Sequence, residues 1–231
     1  MSEIYAFGDS VLKGVILEND KYKVCKNRFS NICENALNVV IENKAKFGST
    51  ISIGEKSFEK NIECLDNPNV EYVVLEFGGN DCDFNWKEIS ENPDIKHNSN
   101  VKINEFVNTY TEIIKIIKSK NKKPVLISLP PIDAQKYINR FSKGLNKDNI
   151  MKWMNYNPYF LTNWHERYNI EVFKLAINNN ISIIDITSKF LEQKDYSMFI
   201  CEDGIHPNEE GHKIIAETIK EHIEKKQIKF I

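Results

Sequence analysis

EYVVLEFGGND, Glu71 to Asp81, is the stretch on which the fold turns. Tyr72 to Leu75 and Phe77 form a short apolar run rich in β-branched and aromatic residues, and Gly78-Gly79 closes it, which predicts a buried strand. The same unit recurs along the chain. Ile4 to Phe7 is a strand that ends at Gly8, a short extended piece at Lys44 to Phe47 ends at Gly48, Pro124 to Leu129 ends at a Pro-Pro pair, and Ile181 to Ile186 is the fifth strand. Amphipathic stretches lie between them. Ser30 is placed to cap a helix whose apolar positions are Ile32, Ala36, Leu37, Val40 and Ile41. Phe58, Ile62 and Leu65 suit a second helix face, and Ile103, Phe106, Val107, Tyr110, Ile113, Ile114 and Ile117 form a third. Residues 161–179 and 208–226 read as helices. Strand and helix alternate about five times, so the fold class is α/β, with a parallel sheet covered by helices on both faces. A cleft is then expected beyond the carboxyl ends of the strands.

Composition narrows the function. The chain has 231 residues, which fits one domain over 1–231, with 41% hydrophobic and 28% charged residues. A net charge of −2 and only three arginines (Arg28, Arg140 and Arg167) argue against nucleic acid or an anionic surface as partner. The five cysteines include no C-x-x-C pair, so neither a disulfide framework nor a zinc site is expected. No secretory leader and no membrane span stand in the sequence, and a cytoplasmic location is expected. Residues 132–165 are polar and long for a connection and carry Tyr137, Phe141, Trp153, Tyr156 and Tyr159, as a lid, a substrate wall or a surface insertion would.

Four polar groups leave the predicted strands at one edge: Gly8-Asp9-Ser10, Gly48-Ser49-Thr50, Gly78-Gly79-Asn80-Asp81, and the later CEDGIHPNEEGH, Cys201 to His212. Any one of them has the composition of an ordinary turn. Together they meet the needs of acyl transfer. A serine hydroxyl needs a base, and His206 can serve Ser10. Asp203, three residues before His206, can turn back to hold the imidazole tautomer. Asn208 can cap the last helix just beyond. The Ser10 N–H, the Gly48 N–H and the Asn80 amide can receive the developing oxyanion.

GDSVLKG, FGST, FGGND and DGIHP resemble, in that order, the four blocks of the SGNH hydrolases, also called GDSL esterases/lipases. Val11 stands where the second of these names expects Leu. Gly54 also lies in FGSTISIG, and Gly48 is preferred because it directly follows the short strand. The resemblance implies a three-layer α/β/α sandwich with a five-stranded parallel flavodoxin-like sheet. It implies Ser10 as nucleophile, His206 as base, Asp203 as its orienter, and Ser10, Gly48 and Asn80 as the oxyanion hole. The reaction implied is hydrolysis of a carboxylic ester with a short or carbohydrate-borne acyl group, through an acyl-enzyme and without a cofactor or metal. The alternatives are an acyltransferase to an acceptor other than water, and a non-catalytic carbohydrate- or ester-binding protein. Substrate identity and oligomeric state stay open at this point.

Other readings fail on spacing. GSTISIGEKS has five residues between its glycines, and Glu55 precedes Lys56, so it is not a phosphate loop. His206 and His212 lack the H-E-x-x-H spacing of a zinc site. Asp81 and Asp83 are read as turn formers ahead of carboxylates that tune the site, Cys82 and Cys201 as packing residues, and Trp86, Trp153 and Trp164 as core aromatics ahead of the lining of a substrate pocket.

Overall fold

The computed structural model describes residues 2–225. Its strands are β1 (Glu3–Gly8), β2 (Val15–Glu18), β3 (Lys21–Val24), β4 (Val40–Asn43), β5 (Val70–Glu76), β6 (Lys123–Ile127) and β7 (Ser182–Ile184). The helices are α1 (Ser10–Lys13), α2 (Phe29–Leu37), α3 (Ile51–Glu59), α4 (Gly79–Cys82), α5 (Trp86–Glu91), α6 (Ile103–Ser119), α7 (Ala134–Phe141), α8 (Lys147–Trp153), α9 (Tyr159–Asn179), α10 (Ile186–Leu191) and α11 (Glu209–Lys225). Five strands pair in parallel in the order β4-β1-β5-β6-β7. The order reverses between β1 and β5, the topological switch point where a doubly wound sheet opens its cleft.

Alternation along each strand builds the layers. Phe7, Val73, Leu75 and Leu126 point to one face and pack with Ile51 and Phe58 of α3, the α6 stripe, and Tyr168 and Val172 of α9. Ala6, Val125, Ile127 and Ile184 point to the other face, against Phe29 and Cys33 of α2, Phe190 of α10 and Ile215 of α11. Each fully buried large side chain contributes roughly 1.5–3 kcal/mol, so these two clusters hold the sandwich together. The predicted helix stripe of α6 is borne out, with Phe106, Tyr110, Ile113, Ile114 and Ile117 all buried.

Several boundaries differ from the sequence reading. The helix at Ser30 does not reach Val40 and Ile41. It stops at Asn38, which takes the left-handed conformation (φ 53°), and Val40 to Asn43 become the edge strand β4 in place of Lys44 to Phe47. Arg28, not Ser30, sits at the cap position, and the buried Ser30 Oγ has no hydrogen-bond partner. Ile62 and Leu65 fall in a separate 3-10 turn beyond α3. The fifth strand is short, because Ile186 already starts α10. The last helix is present as expected over its described length, with Asn208 Oδ1 accepting the Gly211 N–H at 3.0 Å; residue 226 lies outside the described residues.

The β2–β3 hairpin is new. Its two-residue turn, Asn19-Asp20, has positive φ at both positions (50° and 60°), the geometry that matches strand twist. Residues 132–165 are mostly helical. Ile132, Ile138, Ile150, Met154 and Leu161 from this segment form a third apolar cluster with Phe84, Trp86 and Ile89. No helix among the described residues is long and apolar enough to cross a membrane.

Candidate active site

Ser10 opens α1 directly after β1. Asp9 caps that single helical turn by accepting the Val11 N–H at 2.8 Å, and Gly14 ends it. The cap fixes Ser10 at the mouth of the cleft, 6% exposed. Its Oγ lies 2.7 Å from His206 Nε2, and His206 Nδ1 lies 2.6 Å from Asp203 Oδ2. Ser10 and His206 are 196 residues apart in sequence, yet they form one hydrogen-bonded line with Asp203.

The loop before α11 is locally determined. Asp203 Oδ1 accepts both the Ile205 and the His206 N–H at 3.1 Å, while Cys201 and His206 close the loop with a backbone bond of 2.8 Å. Burial opposes the charge on Asp203, but the His206 imidazole and those two N–H groups hold its carboxyl below the ordinary value. Gly204 has φ +80°, and a Cβ there would come within 2.3 Å of the Tyr137 N. Asp133 donates its N–H to the Gly204 carbonyl at 2.8 Å, so α7 clamps the loop.

Gly48, in the turn after β4, has φ +71° and lies on the same cavity as Ser10, Asn80 and His206. Gly54 does not: it sits inside α3, where a Cβ would strike the Phe77 ring. Neither the Ser10 nor the Gly48 N–H has an acceptor among the described residues. Asn80 is in the first turn of α4 and donates one amide N–H to Asp9 Oδ2 at 3.1 Å. All five predicted site residues therefore meet at one place.

The cavity encloses about 130 Å³. Its lining includes Phe84, Trp86, Leu161 and Trp164, so Trp86 and Trp164 face the cleft as well as the third cluster, whereas Trp153 packs behind them. No lysine or arginine lines it. Two aromatic rings border the imidazole: Tyr22 from the new hairpin, edge-on at 5.5 Å, and Phe47, stacked at 5.9 Å. Sequence reasoning missed Tyr22, although the Asn-Asp turn flanked by VILE and KYKV was a hairpin signal.

The two aspartates read as turn formers are anchors instead. Asp81 is fully buried and accepts the Ile51 N–H at the start of α3 at 2.8 Å; burial pushes its carboxyl up to about 8. Asp83 Oδ1 accepts the Trp86 Nε1–H at 2.8 Å and the Tyr137 hydroxyl at 2.5 Å, tying α5 to α7 at the cavity wall. Cys82 and Cys201 are buried as expected. His212 faces away from the site, stacked on Phe29, and burial lowers it to about 4.

Several solved structures share this fold. A lipase/acylhydrolase from Enterococcus faecalis superposes with a TM-score of 0.70 at 17% identity, over 98% of this chain and 97% of that one. A G-D-S-L lipolytic protein from Veillonella parvula gives 0.67 at 18% identity, over 96% and 97%. A catalytic mutant of an acetylxylan esterase from Geobacillus stearothermophilus gives 0.67 at 17%, over 96% and 94%. No curated protein sequence matches the chain. These likenesses establish the fold. The family model spans residues 6–214, from β1 into α11, and so takes in both the Ser10 turn and the His206 loop: the chain belongs to the GDSL-like lipase/acylhydrolase family and is a hydrolase.

Proposed function

We propose that the protein is a serine esterase that cleaves a small, uncharged carboxylic ester through an acyl-enzyme on Ser10. The observation that carries this reading is the continuous line Ser10 Oγ–His206 Nε2 (2.7 Å) and His206 Nδ1–Asp203 Oδ2 (2.6 Å). His206 takes the hydroxyl proton as Ser10 attacks the acyl carbon, and Asp203 stabilises the resulting imidazolium. The carbonyl oxygen becomes an oxyanion received by the Ser10 and Gly48 N–H groups and by the second N–H of Asn80. Collapse expels the alcohol, which leaves with the proton from His206. Water then repeats the sequence on the acyl-enzyme and frees the acid.

The cavity supports the substrate class. Asp9 and Asp83 border it, and no described lysine or arginine lines it, which disfavours an anionic substrate. Aromatic walls beside a carboxylate suit a short acyl group or the face of a sugar. An acetylated carbohydrate is therefore the first substrate to try, and one of the similar structures is of an acetylxylan esterase. The packed cluster under residues 132–165 supports a fixed wall in this role.

A fluorophosphonate probe tests the reading. It is expected to phosphonylate one serine, mapped by mass spectrometry to Ser10, and to abolish turnover of p-nitrophenyl acetate. Full turnover with Ser10 unlabelled refutes the proposal. Asn80→Ala is expected to lower kcat roughly 10²–10³-fold with KM little changed, because its N–H meets charge that exists only in the transition state.

A further inference from the structure

Behind the nucleophile lies a carboxyl pair that the reaction above does not use. Glu76 ends β5 and pairs in register with Gly8 of β1, so its side chain emerges beside Asp9. Both residues are 1% exposed. The Asp9 N–H donates to the Glu76 carbonyl at 3.2 Å, and each of the two buried carboxyl groups acts on the charge of the other. Asp9 accepts the Val11 N–H on Oδ1 and the Asn80 amide on Oδ2. Glu76 accepts the Leu12 N–H on Oε2 at 3.2 Å, while its buried Oε1 has no donor.

Two carboxylates buried side by side in this way oppose each other's charge, so the pair retains a proton. Its neighbours reinforce this. Asp81 on α4, the Cys82 thiol and the Tyr110 hydroxyl on α6 act on the pair as acids, and among the described residues His206 acts on Asp9 as a basic group. Asp9 accepts N–H groups at 2.8 and 3.1 Å on its two oxygens, whereas Glu76 accepts the Leu12 N–H at 3.2 Å on Oε2, with the Asp9 N–H also acting on it, and nothing on Oε1, so Asp9 is the better held as an anion. An acid proton on Glu76 also gives Oε1 a hydrogen bond to make. Burial pushes both carboxyls up, and the charge of Asp9 pushes Glu76 further.

We propose that Glu76 is a neutral carboxylic acid in the working enzyme and a positioning residue for the oxyanion hole, donating its O–H to Asp9 so that Asp9 holds the Asn80 amide. The anionic Asp9 fixes which way the amide is turned, since a flipped Asn80 would set its carbonyl oxygen against a carboxylate. One N–H is thereby committed to Asp9 and the other is aimed into the cavity. This inference rests on the serine esterase reading, and Glu76 acts only through Asp9 and Asn80.

Glu76→Gln keeps a neutral side chain that donates to Asp9 and accepts from Leu12; Glu76→Leu keeps similar bulk and does neither. With p-nitrophenyl acetate, Glu76→Leu is expected to lose about tenfold to a hundredfold in kcat at unchanged KM, less than loss of the Asn80 donor itself. Glu76→Gln is expected to recover at least about tenfold of that loss. In the infrared difference spectrum of wild type minus Glu76→Gln at neutral pH, the carbonyl stretch of a protonated carboxylic acid is expected. A carboxylate band in its place, or Glu76→Gln as impaired as Glu76→Leu, overturns the proposal. The spectrum decides the matter even where Glu76→Leu does not fold. Fluorophosphonate labelling of Ser10 separates the two readings: without it the esterase reading fails, whereas labelled Ser10 with a fully active Glu76→Leu defeats only the role of Glu76.

Discussion

Ser10→Ala is expected to hydrolyse p-nitrophenyl acetate about 10⁶-fold more slowly than wild type at saturating ester, the loss that removal of the nucleophile causes in a serine protease. Ser10 Oγ is the cavity end of the hydrogen-bonded line, so without it the proposed acyl-serine cannot form. Gly48, Asn80 and the backbone of α1 remain, and they leave a residual rate enhancement of roughly 10³–10⁴ over water. His206→Ala is expected to fall to the same floor, and the double variant no lower, because the two residues perform one step. The measurement is single-turnover and steady-state hydrolysis by protein purified away from host esterases. A Ser10→Ala protein as fast as wild type removes the proposed mechanism entirely.

Asp203→Asn is expected to lower kcat about 10⁴-fold. The asparagine oxygen can still accept the Ile205 and His206 N–H groups that Asp203 Oδ1 accepts now, so the loop before α11 keeps its shape. The amide nitrogen then faces His206 Nδ1 where a carboxylate oxygen now lies at 2.6 Å. As a donor it requires Nδ1 to accept, which moves the ring proton to Nε2. The ring then offers Ser10 a hydrogen where it should offer a lone pair. An unchanged melting temperature with kcat reduced by this factor is the expected pair of results. A loss below tenfold would mean that Asp203 orients nothing.

The course of the chain was legible wherever one local rule acted alone. The run at Val70 to Phe77 could only be a buried strand, and the stripe from Ile103 to Ile117 could only be a helix. Asp203, Gly204 and His206 are close enough in sequence that their loop follows from turn geometry. The boundary between α2 and β4 was not legible, because apolar residues continue at helical spacing through Val40 and Ile41 and only the left-handed Asn38 breaks them. Glu76 reads as the ordinary polar end of a strand, and Asp81 as a turn residue. Their roles depend on Asp9 and Ile51, which come from distant segments and are brought close only by the parallel register and the docking of α3. Tyr22 depends in the same way on how the hairpin folds over the imidazole.

The 196 residues between Ser10 and His206 also set when activity can arise. During synthesis the proposed nucleophile leaves the ribosome 196 residues before the proposed base, and the two meet only once β5, β6 and β7 have joined the sheet and the segment after α10 has returned to β1. The Asp203–His206 loop is held there by α7 and by the packing of α11 on α2, contacts that close long loops and form late. A partly made or clipped chain thus carries a bare serine with the reactivity of any alcohol. On the proposed mechanism, hydrolysis and the pocket that selects its substrates therefore arise together.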